Sequence, residues 1–203
     1  MRFLINLAFF LPLTLASQSL IDYNLDYAAR GYIYVRSEIN DTLAPRGFGQ
    51  SGPLPERNHG SFNNPGFYIF IDTTSFIPFQ EKFKGFHLYI INNSDSLVKL
   101  NASDSRLSLF AEAFVYGHWS AIEYLPKSFC GNSFHRVYLP HGKYWKVNIP
   151  KYSGKIPVKI RYKLVGTWGN TYSNEYSGSI NKSQLKLVKE GHKPTGIMDP
   201  YLE

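Results

Sequence analysis

Between Tyr144 and Val165 apolar and cationic side chains alternate with a period of two, a pattern that only half-buried β-strands accommodate. Val158, Ile160, Tyr162 and Leu164 fall on one side of an extended backbone, and Lys159, Arg161 and Lys163 on the other. Trp145, Val147 and Ile149 likewise oppose Tyr144, Lys146 and Asn148. Each run therefore has one face for a core and one for water, as strands of antiparallel sheets do.

Similar runs recur from Phe67 onward, at residues 67–71, 86–92, 97–101, 107–116, 119–125, 135–139, 144–149 and 156–165. Asn93 to Ser96 and Ala102 to Ser105 read as turns, and Gly117, Pro126, Pro140, Pro150 and Gly166 close the other runs. Strands at this spacing predict an all-β antiparallel sandwich or barrel over residues 67–180. The 15 Tyr and 15 Phe fit pleated, half-buried surfaces. No helical period is sustained. Residues 181–190 could form one short helix capped by Asn181 or Ser183, and the tail to residue 203 reads as loosely ordered.

The N-terminal third is organised differently. Residues 1–16 (MRFLINLAFFLPLTLA) pair the cationic Arg2 with an apolar run and the small residues Thr14 and Ala16 before a cleavage point. That is the pattern of a secretory signal peptide. The run is shorter than the ~20 apolar residues a bilayer crossing needs. The expectation is an exported chain, secreted or periplasmic and at or near the cell surface, with no transmembrane segment after cleavage. Residues 17–66 form an extension with a candidate strand at 31–38. Nine of the 26 residues from Asp41 to Gly66 are Gly or Pro, which reads as a long surface loop.

The chemistry-bearing residues are few. Cys130 is the only cysteine, so no internal disulfide or thiolate zinc site is possible. Cys130 near His135 has the residue types of a nucleophile and its base, but without a hydrolase signature. His118, His135 and His141 lie close in sequence without metal-ligand spacing. Glu112 and Glu123 fall on candidate neighbouring strands, and paired carboxylates can suit glycoside chemistry, but surface acids of this kind are usually solvated. Tyr138, Tyr144, Tyr152, Trp168, Tyr172 and Tyr176 divide between core and surface, and an exposed ring beside a cation can stack on a sugar. Asn40, Asn92, Asn101 and Asn181 each begin an N-linked acceptor triplet.

Charge is the strongest signal. The net charge is +7, yet residues 124–174 hold nine Lys or Arg and no Asp or Glu. A field of one sign attracts anionic partners. The expected site is a basic strand face comprising Lys143, Tyr144, Lys146, Lys159, Arg161 and Lys163, flanked by loops 41–66 and 126–134. The partner would be an acidic glycan, a lipid headgroup or an acidic protein. No nucleic acid is expected, because no helix-turn-helix, zinc finger or RRM pattern is present. No cofactor is implied. The alternatives are a structural subunit of an envelope assembly and a hydrolase using Cys130 and His135.

Within residues 86–185, the segments LYIINNSDSLVKLNASDSRLSL, IEYLPKSFCGNSFHRVYLPHGKYWKVNIPKYSG and YSNEYSGSI resemble a family of secreted bacterial proteins with an immunoglobulin-like sandwich. The stretch IEYLP…CGNSFH…LP…YW is the most specific. The resemblance covers about half the chain. It implies fold and export, and neither an activity nor site residues.

Overall fold

A computed structural model describes residues 19–39, 51–126 and 133–186, with the backbone of 191–192. Among these residues the regular structure is strand, apart from 3-10 geometry at Ser133 and at Lys182–Leu185. The longer strands are β1 (Gly66–Phe79), β2 (Phe83–Asn93), β3 (Val98–Ser103), β4 (Leu109–Val115), β5 (His118–Ala121) and β6 (Glu123–Pro126). They continue with β7 (Phe134–Leu139), β8 (Lys143–Pro150), β9 (Ile156–Gly166), β10 (Gly169–Tyr172) and β11 (Tyr176–Ile180). Two-residue pieces at Tyr23–Asn24, Ala29–Arg30, Glu56–Arg57, Arg106–Leu107, Tyr152–Ser153 and Gly191–His192 pair along their edges.

The chain is all-β with several antiparallel sheets, and two of them dominate. The four-stranded sheet runs Glu56–Arg57, β8, β2, β1; the five-stranded sheet runs β10, β9, β4, β5, with β11 beside β10 on the same edge of β9. The alternation in the sequence decides which way each side chain points. Trp145 and Ile149 of β8 and Ile160, Tyr162 and Leu164 of β9 are buried, with the intervening polar residues turned out. Leu88, Ile90 and Trp145 of the first sheet join Leu109, Ala111, Ala113 and Tyr162 of the second in one core. Trp145 is fully buried, and its indole N–H donates to the Arg36 carbonyl at 2.8 Å.

The two-residue turns Asp104–Ser105, after β3, and Tyr116–Gly117, between β4 and β5, have positive φ at both positions. This geometry matches the twist of the flanking strands. Asn174, in the β10–β11 connection, closes the outer edge of β1. Its side-chain amide accepts from the Ile71 N–H (2.7 Å) and donates to the Ile71 carbonyl (3.0 Å). One side chain thus supplies the bonds a further strand would make, and blunts an edge open to foreign strands.

Residues 19–39, read from the sequence as part of an extension, place Ala29, Ile33 and Val35 in the common core. The candidate strand at 31–38 keeps its in-out alternation but forms no ladder. Its backbone bonds first to Tyr124, then to Leu107 and Ser105, then to Pro53, changing partner every few residues. The described part of the 41–66 loop, from residue 51, is pinned rather than a free surface excursion. Arg57 and Glu56 pair with Lys143 and Tyr144, and the Asn58 and Asn93 side chains hold the Phe62 carbonyl at 2.7 and 2.9 Å. Residues 1–18, 40–50, 127–132, 187–190 and 193–203 lie outside the described residues, and with them the expected signal peptide at 1–16, Cys130 and most of the 126–134 turn.

Candidate functional site

The six residues expected to form one basic face do not share a surface. Lys143, Tyr144 and Lys146 stand on β8 in the four-stranded sheet; Lys159, Arg161 and Lys163 stand on β9 in the five-stranded sheet. Between β8 and β9, Lys151 to Lys155 carry the chain from one sheet to the other. Period-two alternation fixes the side of a strand on which a residue lies, but not the sheet to which the strand belongs.

On the four-stranded sheet the outward residues are covered and paired. Lys143, on the inward side of β8 with Trp145, bonds to Glu38 at the strand's start, and on the outward side the Tyr144 hydroxyl donates to Glu56 Oε2 at 2.7 Å. Burial and then this bond raise the Tyr144 phenol to about 12. Phe62 lies across the face, its ring 4.8 Å from Tyr89, 5.2 Å from Tyr144 and 6.4 Å from Phe70. Below these rings, cross-strand neighbours Asp72, His87 and Asn148 make a polar row, with His87 Nδ1 2.9 Å from Asn148 Oδ1. Hydrogen bonds from Thr74 hold the Asp72 carboxyl below its usual range.

The outer face of the five-stranded sheet is built differently. In register, Arg161 lies opposite Glu112, Lys163 opposite both Phe110 and Tyr172, and Phe114 opposite Trp119. The Arg161 guanidinium lies over two rings, 4.0 Å from the centre of Trp119 and 3.9 Å from that of Tyr172. Its Nε and Nη2 both donate to Glu112 Oε2, at 3.1 and 3.0 Å. Cation–π contact and a two-point ion pair lock one side chain in place. The result is a stiff strip across the strands, with Phe114 and Tyr172 more than 40% exposed along it. Lys163 Nζ sits 3.6 Å from Glu112 Oε1, and Lys159 Nζ donates to the neutral Ser177 hydroxyl at 3.1 Å.

Beside this strip opens a cleft of about 560 Å³, lined by Phe110, Glu112, His118, Trp119, Lys163 and Gln184. The 3-10 turn forms one wall, fixed by the Asn181 N–H donating to Gln184 Oε1 at 2.9 Å. Lys186 follows it at the rim.

Glu112 and Glu123, expected to be solvated, are both buried. Glu123 reaches under the sheet, where Oε1 accepts from the Tyr152 and Tyr162 hydroxyls at 2.6 and 3.1 Å and Oε2 from the Ala111 N–H at 3.0 Å. Burial raises the Glu123 carboxyl despite these three bonds, and pushes both tyrosines well above their usual range. No local pattern marks this cluster, because its members come from four separate strands.

The remaining candidates separate. His118 is exposed at the start of β5, His135 is buried on β7 with Nδ1 3.1 Å from the Ser133 carbonyl, and His141 Nδ1 lies 2.6 Å from the Ser94 carbonyl. Among the described residues no group of His, Cys, Asp and Glu could hold a metal ion. Tyr138, Tyr152 and Tyr176 are buried, whereas Trp168 and Tyr172 are exposed. Of the acceptor triplets, Asn92 is fully buried and bonded to the Ser96 and Leu139 carbonyls, and Asn181 is bonded to Asn24 and Leu25; Asn101 stands exposed on β3. No helix among the described residues is long and apolar enough to cross a membrane. No family model, curated protein or solved structure matches the chain.

Proposed function

We propose that the protein is an exported, non-catalytic binding module whose anionic partner docks on the outer face of the five-stranded sheet. One observation carries the reading. On an open face beside a cleft, the three cations of β9 have one carboxylate between them: Arg161 donates twice to Glu112 Oε2, Lys163 lies 3.6 Å from Oε1, and Lys159 reaches only the Ser177 hydroxyl. Lys159 and Lys163 keep ammonium charge available for a ligand, and a field of one sign over a concave surface speeds encounter. The immunoglobulin-like sandwich of the resembling secreted family is the finer reading of the fold. Its support is that two antiparallel sheets turn their apolar faces into one core.

The test compares two pairs of substitutions that remove equal charge. Lys159→Ser with Lys163→Ser should abolish salt-sensitive retention on a polyanionic matrix such as phosphocellulose. Lys143→Ser with Lys146→Ser, on the other sheet, should leave most of it. Equal losses from the two pairs would mean that retention reflects net charge alone, and the proposed face would be wrong.

A further inference from the structure

We infer that the partner of this face is a carboxylated polysaccharide, a chain carrying about one hexuronate charge per sugar or fewer. The inference rests on the reading of the five-stranded face as the binding surface, and adds the chemistry of what lies on it.

Two properties of the face narrow the ligand. The first is the alternation of flat apolar surface with hydrogen-bonding groups. Phe114, Trp119, the Arg161 guanidinium and Tyr172 follow one another across the strands, with Phe114 and Trp119 ring centres 5.4 Å apart. A pyranose ring presents C–H groups on its faces and hydroxyls around its rim. It covers aromatic rings without losing its hydroxyl bonds, which extended polypeptide or a lipid headgroup does less well. The adjacent cleft offers Glu112 as acceptor, Lys163 as donor, and His118 at the side. Mixed apolar and sparse polar lining of this kind suits a ligand whose orientation is set by a few hydrogen bonds.

The second property is how the charge is spent. Both faces of the Arg161 guanidinium are taken up by rings, and two of its nitrogens by Glu112. The bidentate fork that favours sulfate or phosphate clusters is therefore occupied. What remains is ammonium: Lys159 and Lys163 on the sheet, and Lys186 at the rim of the cleft. Lys159 and Lys163 lie four residues apart on one strand face, about 13 Å at the usual rise per residue. Point charges at that spacing suit isolated carboxylates along a chain better than a dense polyanion. Recognition would then divide in two, with rings supplying most of the affinity and ammonium groups the preference for acidic chains.

Affinity electrophoresis or calorimetry at low and moderate salt, with four polymers, tests this. The probes are polygalacturonate, dextran, dextran sulfate and poly-glutamate. Polygalacturonate is expected to bind most tightly. Tyr172→Ala, at an exposed position, should weaken it by about tenfold, as loss of one stacking ring does. Lys159→Ser with Lys163→Ser should bring binding down to the level of dextran and flatten its salt dependence. Poly-glutamate binding as tightly as polygalacturonate, with Tyr172→Ala without effect, would overturn the carbohydrate inference and leave the anionic reading standing. Dextran equal to polygalacturonate would overturn the acidic preference, and dextran sulfate well above it would overturn the low charge density. Failure of all four polymers to bind at low salt would bring down both the inference and the reading beneath it. Tyr172→Phe keeps the ring and should keep the binding, which separates stacking from a fold defect.

Discussion

The two large sheets carry similar residues on their outer faces and use them in opposite ways. On each, aromatic rings stand beside Lys or Arg in cross-strand register. On the four-stranded sheet the segment from Glu56 to Phe62 lies over the rings, and Glu38 and Glu56 answer Lys143 and Tyr144. On the five-stranded sheet no strand among the described residues covers the strip, Lys159 bonds only to a neutral hydroxyl, and a cleft opens alongside. The same chemistry is packing where a strap covers it, and is the proposed ligand surface on the other sheet.

The largest effect is expected beneath the open face. Glu123→Ala leaves the Tyr152 and Tyr162 hydroxyls and the Ala111 N–H without their acceptor, and should cost about 3 kcal/mol or more in urea unfolding. The same group gives a pH signature of definite sign. Burial raises the Glu123 carboxyl, so the native state holds that proton more tightly than the unfolded chain. Its contribution is complete below the ordinary carboxylate range and is lost as pH rises through the native value. The stability of the native protein relative to Glu123→Gln should therefore fall as pH rises above the ordinary carboxylate range. A relative gain over that rise would show that the carboxylate form is the one the cluster prefers.

Next comes the strap. Phe62→Ala removes the ring that covers Tyr89 and Tyr144 and should cost about 2 kcal/mol, less than a fully buried Phe, with no change in polyanion binding. If binding changed and stability did not, the two faces would have exchanged roles. Asn174→Ala, which deletes the side chain closing the β1 edge, should cost about 1 kcal/mol and raise the concentration-dependent association of the folded protein, read by light scattering. The smallest effect is expected from Tyr172→Ala, within about 0.5 kcal/mol in stability because the ring is largely exposed.

The strand content and the sidedness of β8 and β9 could be read from the sequence, because alternation is a local signal set by adjacent residues. The site could be read only in part. Arg161 and Lys163 stand out by charge, but Glu112, Trp119 and Tyr172, which hold Arg161, come from other strands and lie up to 49 residues away in the chain. The crossing between sheets at residues 151–155 carries no compositional mark, so one basic stripe in the sequence became two faces in space. Residues 19–39 read as part of an extension because they change hydrogen-bond partner too often to show a strand's length. Phe62 was hidden for a related reason, since Gly- and Pro-rich composition reads as loop whether or not the loop is tied down by amides such as Asn58 and Asn93.

Chemical-shift mapping with a short galacturonate oligomer tests most directly that the open face, and not the covered one, is where the ligand sits. The account predicts shifts of the Trp119 indole N–H and of the Arg161, Lys163 and Tyr172 amides, with Tyr89, Tyr144 and Lys146 unmoved. Shifts confined to Tyr89, Tyr144 and Lys146 would contradict it.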